Sequence, residues 1–280
     1  MADAVHPTAV VDPRARIHPG VTVGAYSMVG PDVTIGADVE IGHHCVLEGR
    51  VELGPGVKVG HGSILGGEPQ DLKFKEGTPS GVRIGAKTVI REYVTIHRAT
   101  RADGWTRVGE GCLLMAMSHI AHDCTVGDGA IIINYAGITG HCEIGERATV
   151  GGLTGVLPFT RVGAYAYVGG VSKVNADVPP YMLVAGNPAV AHGINVVGLR
   201  RAGMPTAERR VLQDAYSLLY RSGLTPQRAL ERIQSELPPL PPLARLVEFL
   251  AGARRGICGP PRRGAGEGGD VTPEPESERV

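Results

Sequence analysis

The sequence has few aromatic residues, no excess charge of either sign and no long apolar run. Only 4% of its 280 residues are Phe, Trp or Tyr, and 28 basic residues balance 28 acidic ones. This balance argues against a general binder of nucleic acids or membrane surfaces. No apolar run reaches the about 18 residues of a membrane span, and the start, Met-Ala-Asp-Ala, does not resemble a signal peptide. These absences predict a globular cytoplasmic protein without membrane insertion.

Cysteine is also scarce, whereas glycine is abundant. The five cysteines are odd in number and form no Cys-x-x-Cys pair, which favours reduced thiols over a disulfide framework or a zinc ribbon. The 41 glycines do not follow the period of three that is typical of collagen. Such an excess of glycine predicts either disorder or a tightly turning repeat.

An aliphatic residue recurs at every sixth position through most of the chain. The frame runs over 5–65, resumes over 84–96 and continues over 108–174, and in its last part a small residue lies four positions after each aliphatic one. Two inward positions in six residues are typical of a hexapeptide parallel β-helix, with three short strands in each coil. A narrow interior packed with branched side chains has no room for rings, which explains the scarcity of aromatic residues.

The same frame places four cysteines, Cys45, Cys112, Cys124 and Cys142, at the small inward position. Free cysteine behaves as a small buried hydrophobe, so we interpret these residues as core packing, with metal binding as the alternative.

The pattern divides the chain into three segments. Residues 1–190 are predicted to form the hexapeptide β-helix, with loop insertions near 66–81 and 98–107. Helical spacing of apolar residues predicts a C-terminal helical domain over 191–257. The Gly, Pro, Arg and Glu of 258–280 lack apolar neighbours and predict a disordered tail.

Four histidines, His97, His119, His122 and His141, lie along the middle coils. The frame places His122 and His141 on the same face of adjacent coils, beside the predicted insertions. Outward histidines in such a position indicate a site, and solvated or interface histidines are the alternative.

Several runs resemble the UDP-N-acetylglucosamine acyltransferase family, which performs the first step of lipid A synthesis. They are Ser-His-Ile-Ala-His-Asp-Cys-Thr-Val-Gly at 118–127, Gln-Asp-Leu-Lys at 70–73, Arg-Glu-Tyr-Val-Thr-Ile-His-Arg at 91–98 and Asp-Val-Pro-Pro-Tyr at 177–181. The resemblance extends from residue 1 to about residue 255. It implies a left-handed β-helix and an enzyme that needs no metal or other cofactor. It also implies transfer of a 3-hydroxyacyl group from acyl carrier protein to the 3-hydroxyl of the UDP-sugar.

The resemblance also implies roles for individual residues. His122 is the expected general base, a role that neutral imidazole suits near pH 7. Gly140 is the expected source of an oxyanion-binding N–H group. The expected substrate-binding residues are Asp71 and Lys73 on the first loop, His119 and His141 on the coils, and Asn195, Arg200 and Arg201 near the nucleotide. Arginine suits a diphosphate, although a solvated surface is the alternative for these charges.

Gly170 resembles the residue that closes the far end of the family's acyl groove. A glycine there leaves room for a long, myristoyl-like 3-hydroxyacyl chain, and the alternative is one more corner glycine after Gly169. Counting in sixes places His122 and Gly170 on different faces of the β-helix. A groove that uses both therefore needs neighbouring subunits, and the family is expected to be a homotrimer.

Two departures from the family pattern leave the substrate open. Leu157-Pro158-Phe159 replaces a common His-Gln-Phe, and Val197 replaces a common Glu. Loss of these polar groups is compatible with a 3-amino sugar analogue, which would give an amide. Two further alternatives are a γ-type carbonic anhydrase with three histidines around zinc, and a structural solenoid without chemistry.

Overall fold

Short parallel strands, stacked coil upon coil, form three sheets around one continuous apolar core. The computed structural model describes residues 4–253 and 256–260. Sheet A contains Ala4–Val5, Thr22–Val23, Glu40–Ile41, Lys58–Val59, Val89–Ile90, Leu113–Leu114, Ile131–Ile132, Thr149–Val150, Tyr167–Val168, Met182–Ala185 and Val190–Ile194. Sheet B contains Val10–Val11, Met28–Val29, Val46–Leu47, Ile64–Gly67, Thr95–His97, His119–Ile120, Gly137–Ile138, Gly155–Val156 and Lys173–Val174. Sheet C contains Arg16–Ile17, Val33–Ile35, Arg50–Leu53, Gly81–Ile84, Trp105–Val108, Thr125–Val126, Glu143–Ile144 and Arg161–Val162.

The aliphatic frame forms the core because each member pairs with its counterpart in the next coil. In sheet B, Ile120 pairs with Ile138, Ile138 with Val156, and Val156 with Val174. All four side chains are fully buried. The predicted fold, a left-handed parallel β-helix followed by a helical segment, is confirmed. The five cysteines are all buried and free, and burial raises the pKa of the Cys45 and Cys112 thiols.

The chain turns from one sheet to the next at three edges, which we name by the sheets they join: B–C, C–A and A–B. Many turns place one residue in the left-handed backbone region, as at Asp123 (φ 59°), His141 (φ 62°) and Phe159 (φ 62°) on the B–C edge. A non-glycine residue in this region costs roughly 1 kcal/mol, and Asp and His are among the residues that adopt it more often. These side chains point away from the core, so successive coils present a column of them along the edge.

Both predicted insertions leave the β-helix at the B–C edge. The first connects Ile64–Gly67 of sheet B to Gly81–Ile84 of sheet C, and the second connects Thr95–His97 to Trp105–Val108. The coils remain in register across them: Glu52 and Arg83, on neighbouring strands, are 31 residues apart rather than 18. The insertions therefore decorate one edge without disturbing the core.

Within the described ranges, four helices follow the coils: α1 (Val196–Arg201), α2 (Thr206–Tyr220), α3 (Pro226–Glu236) and α4 (Pro241–Ala251). They begin after the antiparallel strand Val190–Ile194, against which α2 packs through a hydrogen bond from the Tyr216 hydroxyl to the Ala191 carbonyl. Thr225 caps α3 by accepting a hydrogen bond from the N–H of Arg228. None of the helices in the described ranges is long and apolar enough to cross a bilayer.

Two contacts fasten the helical segment to the last coils. Arg161 forms an ion pair with the buried Asp177 at 2.9 Å and donates a hydrogen bond to the carbonyl of Phe249 in α4. Cys258 is also buried, and its N–H donates to the Asp177 carbonyl. The prediction that residue 258 already belongs to a disordered tail is therefore wrong, because Cys258 packs against the end of the β-helix. The rest of the predicted tail, over 261–280, lies outside the described residues.

The core can be tested with two neighbouring residues of one strand that face opposite ways. Ile144 is 2% exposed, whereas Glu143 is exposed on the outer face of sheet C. We expect Ile144→Ala to lower the free energy of unfolding by about 2–5 kcal/mol, because it removes buried methylenes and leaves a cavity. Glu143→Ala should change it by less than about 0.5 kcal/mol. Urea denaturation measures both, and equal effects would contradict the assignment of faces.

Candidate active site

His122 and Asp123 form a hydrogen-bonded pair on the B–C edge. His122 Nδ1 lies 2.9 Å from Asp123 Oδ2, and 11% and 5% of their side chains are exposed. Burial alone would raise the pKa of the Asp123 carboxyl, but hydrogen bonds from Thr100 and His122 outweigh burial and hold this pKa below its usual value. An ionised carboxylate can only accept, so the proton lies on Nδ1 and Nε2 of His122 is free to act as a base.

The second insertion holds Asp123 from two sides. The backbone N–H and the hydroxyl of Thr100 donate to Asp123 Oδ2 at 3.1 and 2.7 Å. The N–H of Asp123 donates to the Thr106 hydroxyl at 2.9 Å. Neither Asp123 nor these threonines were predicted from the sequence as functional residues, although Asp123 directly follows His122 in the motif.

Gly140 lies directly beside the His122 ring in the next coil. A Cβ atom at this position would lie 2.5 Å from His122 Cε1 and 2.7 Å from Nε2, so only glycine allows the ring to lie here. Among the hydrogen bonds of the described residues, the N–H of Gly140 has no acceptor. The predicted base and the predicted oxyanion donor are therefore neighbours.

His141 and Phe159 continue the column next to the pair. The His141 ring stacks on Phe159 with centroids 4.6 Å apart and meets the His122 ring edge-on at 5.1 Å. His141 Nε2 is 3.9 Å from Asp123 Oδ2. One potential ligand atom each from His122, Asp123 and His141 lie within 4.8 Å of one another, a spacing that could also hold a metal ion. The short Nδ1 to Oδ2 hydrogen bond accounts for this proximity without one.

The other two histidines lie on sheet B beside this cluster. Their rings meet at 4.8 Å, and His119 is hydrogen-bonded to Thr95 at 2.7 Å. Burial lowers the pKa of His97 to about 4, and burial together with the nearby His122 lowers the pKa of His119. Both rings are therefore neutral near pH 7, which suits hydrogen bonding more than charge pairing.

The first insertion brings Asp71 and Lys73 to the same edge. Asp71 Oδ1 accepts a hydrogen bond from the N–H of Lys73 at 2.9 Å, which shapes the loop, and the Lys73 side chain is exposed. Arg98 fixes the base of the loop by donating to the Gly66 carbonyl at 2.9 Å and to Glu68 at 2.8 Å. This role of Arg98 was not predicted from the sequence.

Other predicted site residues lie on different edges of the same chain. Gly170 is exposed on the A–B edge, after the sheet A strand Tyr167–Val168. Asn195 lies by the C–A edge, where its side chain caps α1 by accepting from Gly198 and donates to the Tyr165 carbonyl. Its amide oxygen and one of its two N–H groups are thus used within the fold, and the second N–H is left to donate to a ligand.

Arg200 and Arg201 are exposed in the last turn of α1. Their position at a helix C-terminus is favourable in itself, because the helix dipole is negative there. A role in binding remains a prediction for both.

The coil after Gly140 gives this edge an apolar wall. Leu157 and Pro158 occupy the positions that follow Thr139 and Gly140 in the stack, beside the exposed ring of Phe159. The departure from His-Gln-Phe therefore lies within one coil of Gly140, and it removes polar side chains from the same edge as His122.

Family patterns match both parts of the chain. The pattern described as UDP N-acetylglucosamine O-acyltransferase, domain 2, matches residues 177–258. The pattern described as bacterial transferase hexapeptide (six repeats) matches residues 14–49, 32–67 and 106–140.

Curated relatives and solved structures agree with these matches. The chain is 42% identical to the acyl-[acyl-carrier-protein]–UDP-N-acetylglucosamine O-acyltransferase of Thermodesulfovibrio yellowstonii over 91% of this chain and 98% of that protein. It is 56% identical to the enzyme of the same name from Aquifex aeolicus over 70% of this chain and 76% of that protein. Its structure is similar to that of LpxA from Acinetobacter baumannii, with a TM-score of 0.87, 39% identity and coverage of 91% and 99% of the two chains. For the UDP-N-acetylglucosamine acyltransferase of Francisella novicida, the TM-score is 0.89 at 33% identity, with 92% and 94% covered. The chain therefore belongs to the acyl-[acyl-carrier-protein]–UDP-N-acetylglucosamine O-acyltransferase family.

Proposed function

We propose that the protein transfers a 3-hydroxyacyl group from acyl carrier protein to the 3-hydroxyl of UDP-N-acetylglucosamine, the first step of lipid A synthesis. The observation that carries this proposal is the buried His122–Asp123 pair, whose Nε2 lies beside Gly140, a residue whose N–H has no acceptor among the described residues. A base and an oxyanion donor side by side are what acyl transfer from a thioester to an alcohol requires. We place the reaction in the cytoplasm, as the sequence composition predicts.

His122 moves one proton through the reaction. Its Nε2 takes the proton of the sugar hydroxyl while the oxygen attacks the thioester carbonyl, and the imidazolium that forms is stabilised by Asp123. The negative charge on the former carbonyl oxygen is bound by the N–H of Gly140, an interaction of a kind typically worth ~10²–10³ in rate. When the carbon–sulfur bond breaks, the imidazolium returns its proton to the departing thiolate. The cycle is balanced without a cofactor.

The remaining predicted residues are assigned to binding. Asp71 and Lys73, on a loop at the same edge as His122, are assigned to the sugar. His119 and His141 adjoin the same pair, as hydrogen-bonding groups for substrate. Asn195, Arg200 and Arg201 are assigned to the nucleotide, with the two guanidinium groups toward its diphosphate.

We propose a homotrimer in which each site lies between two subunits. The residues assigned to one reaction lie on three edges, and no single subunit brings the three edges together. The A–B edge, which carries Gly170, also presents an apolar residue in coil after coil: Tyr93, Met117, Tyr135, Leu153 and Val171, each 46–71% exposed. Such a continuous apolar ridge favours burial against another copy of the chain.

A transfer assay with purified 3-hydroxyacyl carrier protein tests the reaction. We expect ester formation with UDP-N-acetylglucosamine, and the 3-amino analogue is the second acceptor to test because Leu157 and Pro158 replace polar residues beside the site. His122→Asn should lower kcat by at least ~10²–10⁴, because the amide can still donate to Asp123 but cannot act as a base. Circular dichroism should show that this variant is folded.

The outcomes of this assay are distinct. Amide formed from the analogue, with no ester from UDP-N-acetylglucosamine, would reassign the acceptor but not the reaction. No product from either sugar would overturn the proposed function, and a wild-type rate for His122→Asn would remove His122 as the base.

Light scattering tests the assembly. The chain has a mass of 29.3 kDa, and we expect a particle of about three times this mass. Leu153→Asp should reduce both the mass and the activity, because it places a charge on the apolar ridge. Thr125→Asp, on the exposed face of sheet C, serves as the control. A fully active monomer would contradict the shared site.

Chain-length selectivity tests the assignment of Gly170. A Cβ atom here would lie 3.2 Å from the Gly152 carbonyl oxygen and otherwise meets open space, so Gly170→Met should fold with a small adjustment. We expect the preferred acyl chain to shorten, because each buried CH₂ contributes ~0.8 kcal/mol, or about fourfold in rate. Val171→Met provides the same side chain one residue away. An unchanged profile of kcat/KM against chain length in Gly170→Met would place the end of the groove elsewhere.

A further inference from the structure

We propose that the second insertion, residues 98–104, together with Thr106 acts as a clamp on Asp123, with Thr100 and Thr106 as positioning residues for the His122–Asp123 pair. The role in catalysis rests on the proposed function. The structural part, control of the charge and orientation of Asp123, can be measured independently of turnover.

Three hydrogen bonds from a single stretch of chain converge on Asp123. Thr100 supplies two donors to one carboxylate oxygen, and Thr106 accepts from the backbone N–H of the same residue. The partners lie 23 and 17 residues away in the sequence, Thr100 within the insertion and Thr106 in the strand that follows it. The two hydrogen bonds from Thr100 therefore exist because the chain leaves the β-helix at this edge.

Thr106 lies where its column in sheet C changes from valine to smaller and more polar residues. At the same inward position, Val82, Val51 and Val33 precede it and Cys124, Cys142 and Thr160 follow it, all fully or nearly fully buried. Burial of a hydroxyl is costly unless the hydroxyl has a hydrogen-bond partner. The Thr106 hydroxyl has such a partner in the N–H of Asp123, whereas the Thr160 hydroxyl has none among the described residues. The bond to Asp123 therefore distinguishes Thr106 within its column.

The clamp affects the base through the carboxylate. Two donors from Thr100 on Oδ2 stabilise the ionised form of Asp123 and fix the direction of the oxygen that accepts from His122 Nδ1. This keeps the proton on Nδ1 and directs Nε2 away from the carboxylate, as a base requires. Without the Thr100 hydroxyl, the negative charge of Asp123 would be less neutralised by hydrogen bonds. The carboxylate would then stabilise the protonated form of the His122 imidazole more strongly.

Other titratable or charged groups surround the pair and must be considered in any pH experiment. They are His97 and His119 from sheet B, His141 from the next coil, Arg98 at the start of the insertion and the Cys124 thiol in the core. None of these is changed by a substitution at Thr100, so a difference between variants reports on the clamp.

The central experiment compares Thr100→Val with Thr100→Ser. We expect Thr100→Val to raise the pKa of the Asp123 carboxyl, measured by carbon NMR of labelled aspartate, because one donor to the anion is lost. In the transfer assay, kcat should fall about tenfold with little change in KM, and the acid limb of the kcat/KM profile should move to higher pH. Thr100→Ser keeps the hydroxyl and should restore all three quantities.

A matched control separates positioning from stability. The Thr88 hydroxyl donates to the Gly109 carbonyl at 2.7 Å and accepts from the Cys112 N–H, away from the B–C edge. Thr88→Val should lower the melting temperature without moving the Asp123 titration or the pH profile. Nitrogen NMR of labelled histidine should find the His122 proton on Nδ1 in the wild-type protein and in Thr100→Ser.

Each result has one meaning. An unchanged Asp123 titration and pH profile in folded Thr100→Val would overturn the clamp, as would failure of Thr100→Ser to restore them. If Thr100→Val does not fold, a lowered kcat with normal KM in Thr106→Ala, checked against Thr106→Ser, supports the same inference, and wild-type kinetics refute it. If the wild-type protein transfers no acyl group but the NMR differences appear, the clamp stands and the proposed function fails.

Discussion

The hydrogen-bonded register between successive coils is the constraint from which the active site follows. Each residue lies above its counterpart 18 residues earlier wherever no insertion intervenes. Gly140 therefore lies over His122, and His141 and then Phe159 lie over Asp123. The proposed base, its carboxylate, the stacked rings of His141 and Phe159, and an N–H group that is unpaired within the described part of the chain come together because positions in the repeat coincide. The register of the stacked coils, more than either insertion, therefore determines where these residues lie.

The edges of the β-helix tolerate more variation in sequence and loop length than its faces, and the candidate site lies on one of them. The flat faces are fixed by ladder hydrogen bonds and by the aliphatic columns behind them, whereas each edge turns its residues outward through a strained backbone conformation. The roughly 1 kcal/mol cost of each such residue is offset by the burial of the neighbouring column. Both insertions use the B–C edge, so the regular and irregular parts of the molecule meet at His122 and Asp123.

The sequence alone indicated the fold because its signal is periodic and independent of long-range detail. Six-residue spacing predicts both the strands and the inward side chains, and the motif around His122 is sufficient to propose this residue as the base. It was not sufficient for Asp123, Thr100 and Thr106, because their hydrogen bonds join residues 17 and 23 apart across an aperiodic insertion. Asn195 shows a different limit: its capping bond to Gly198 is local, but its bond to Tyr165 spans 30 residues.

The repeat has a consequence for how such a molecule can change in length. Successive coils are related by a simple translation, so a complete 18-residue unit can be added or removed while every column stays in phase. An insertion of another length within a strand would rotate all later residues onto the wrong face, whereas an insertion at an edge is absorbed before the chain re-enters the sheet. The pairing of Glu52 with Arg83, 31 residues apart, is an instance of such absorption. The loops on the B–C edge can therefore lengthen during evolution without displacing His122 or Asp123.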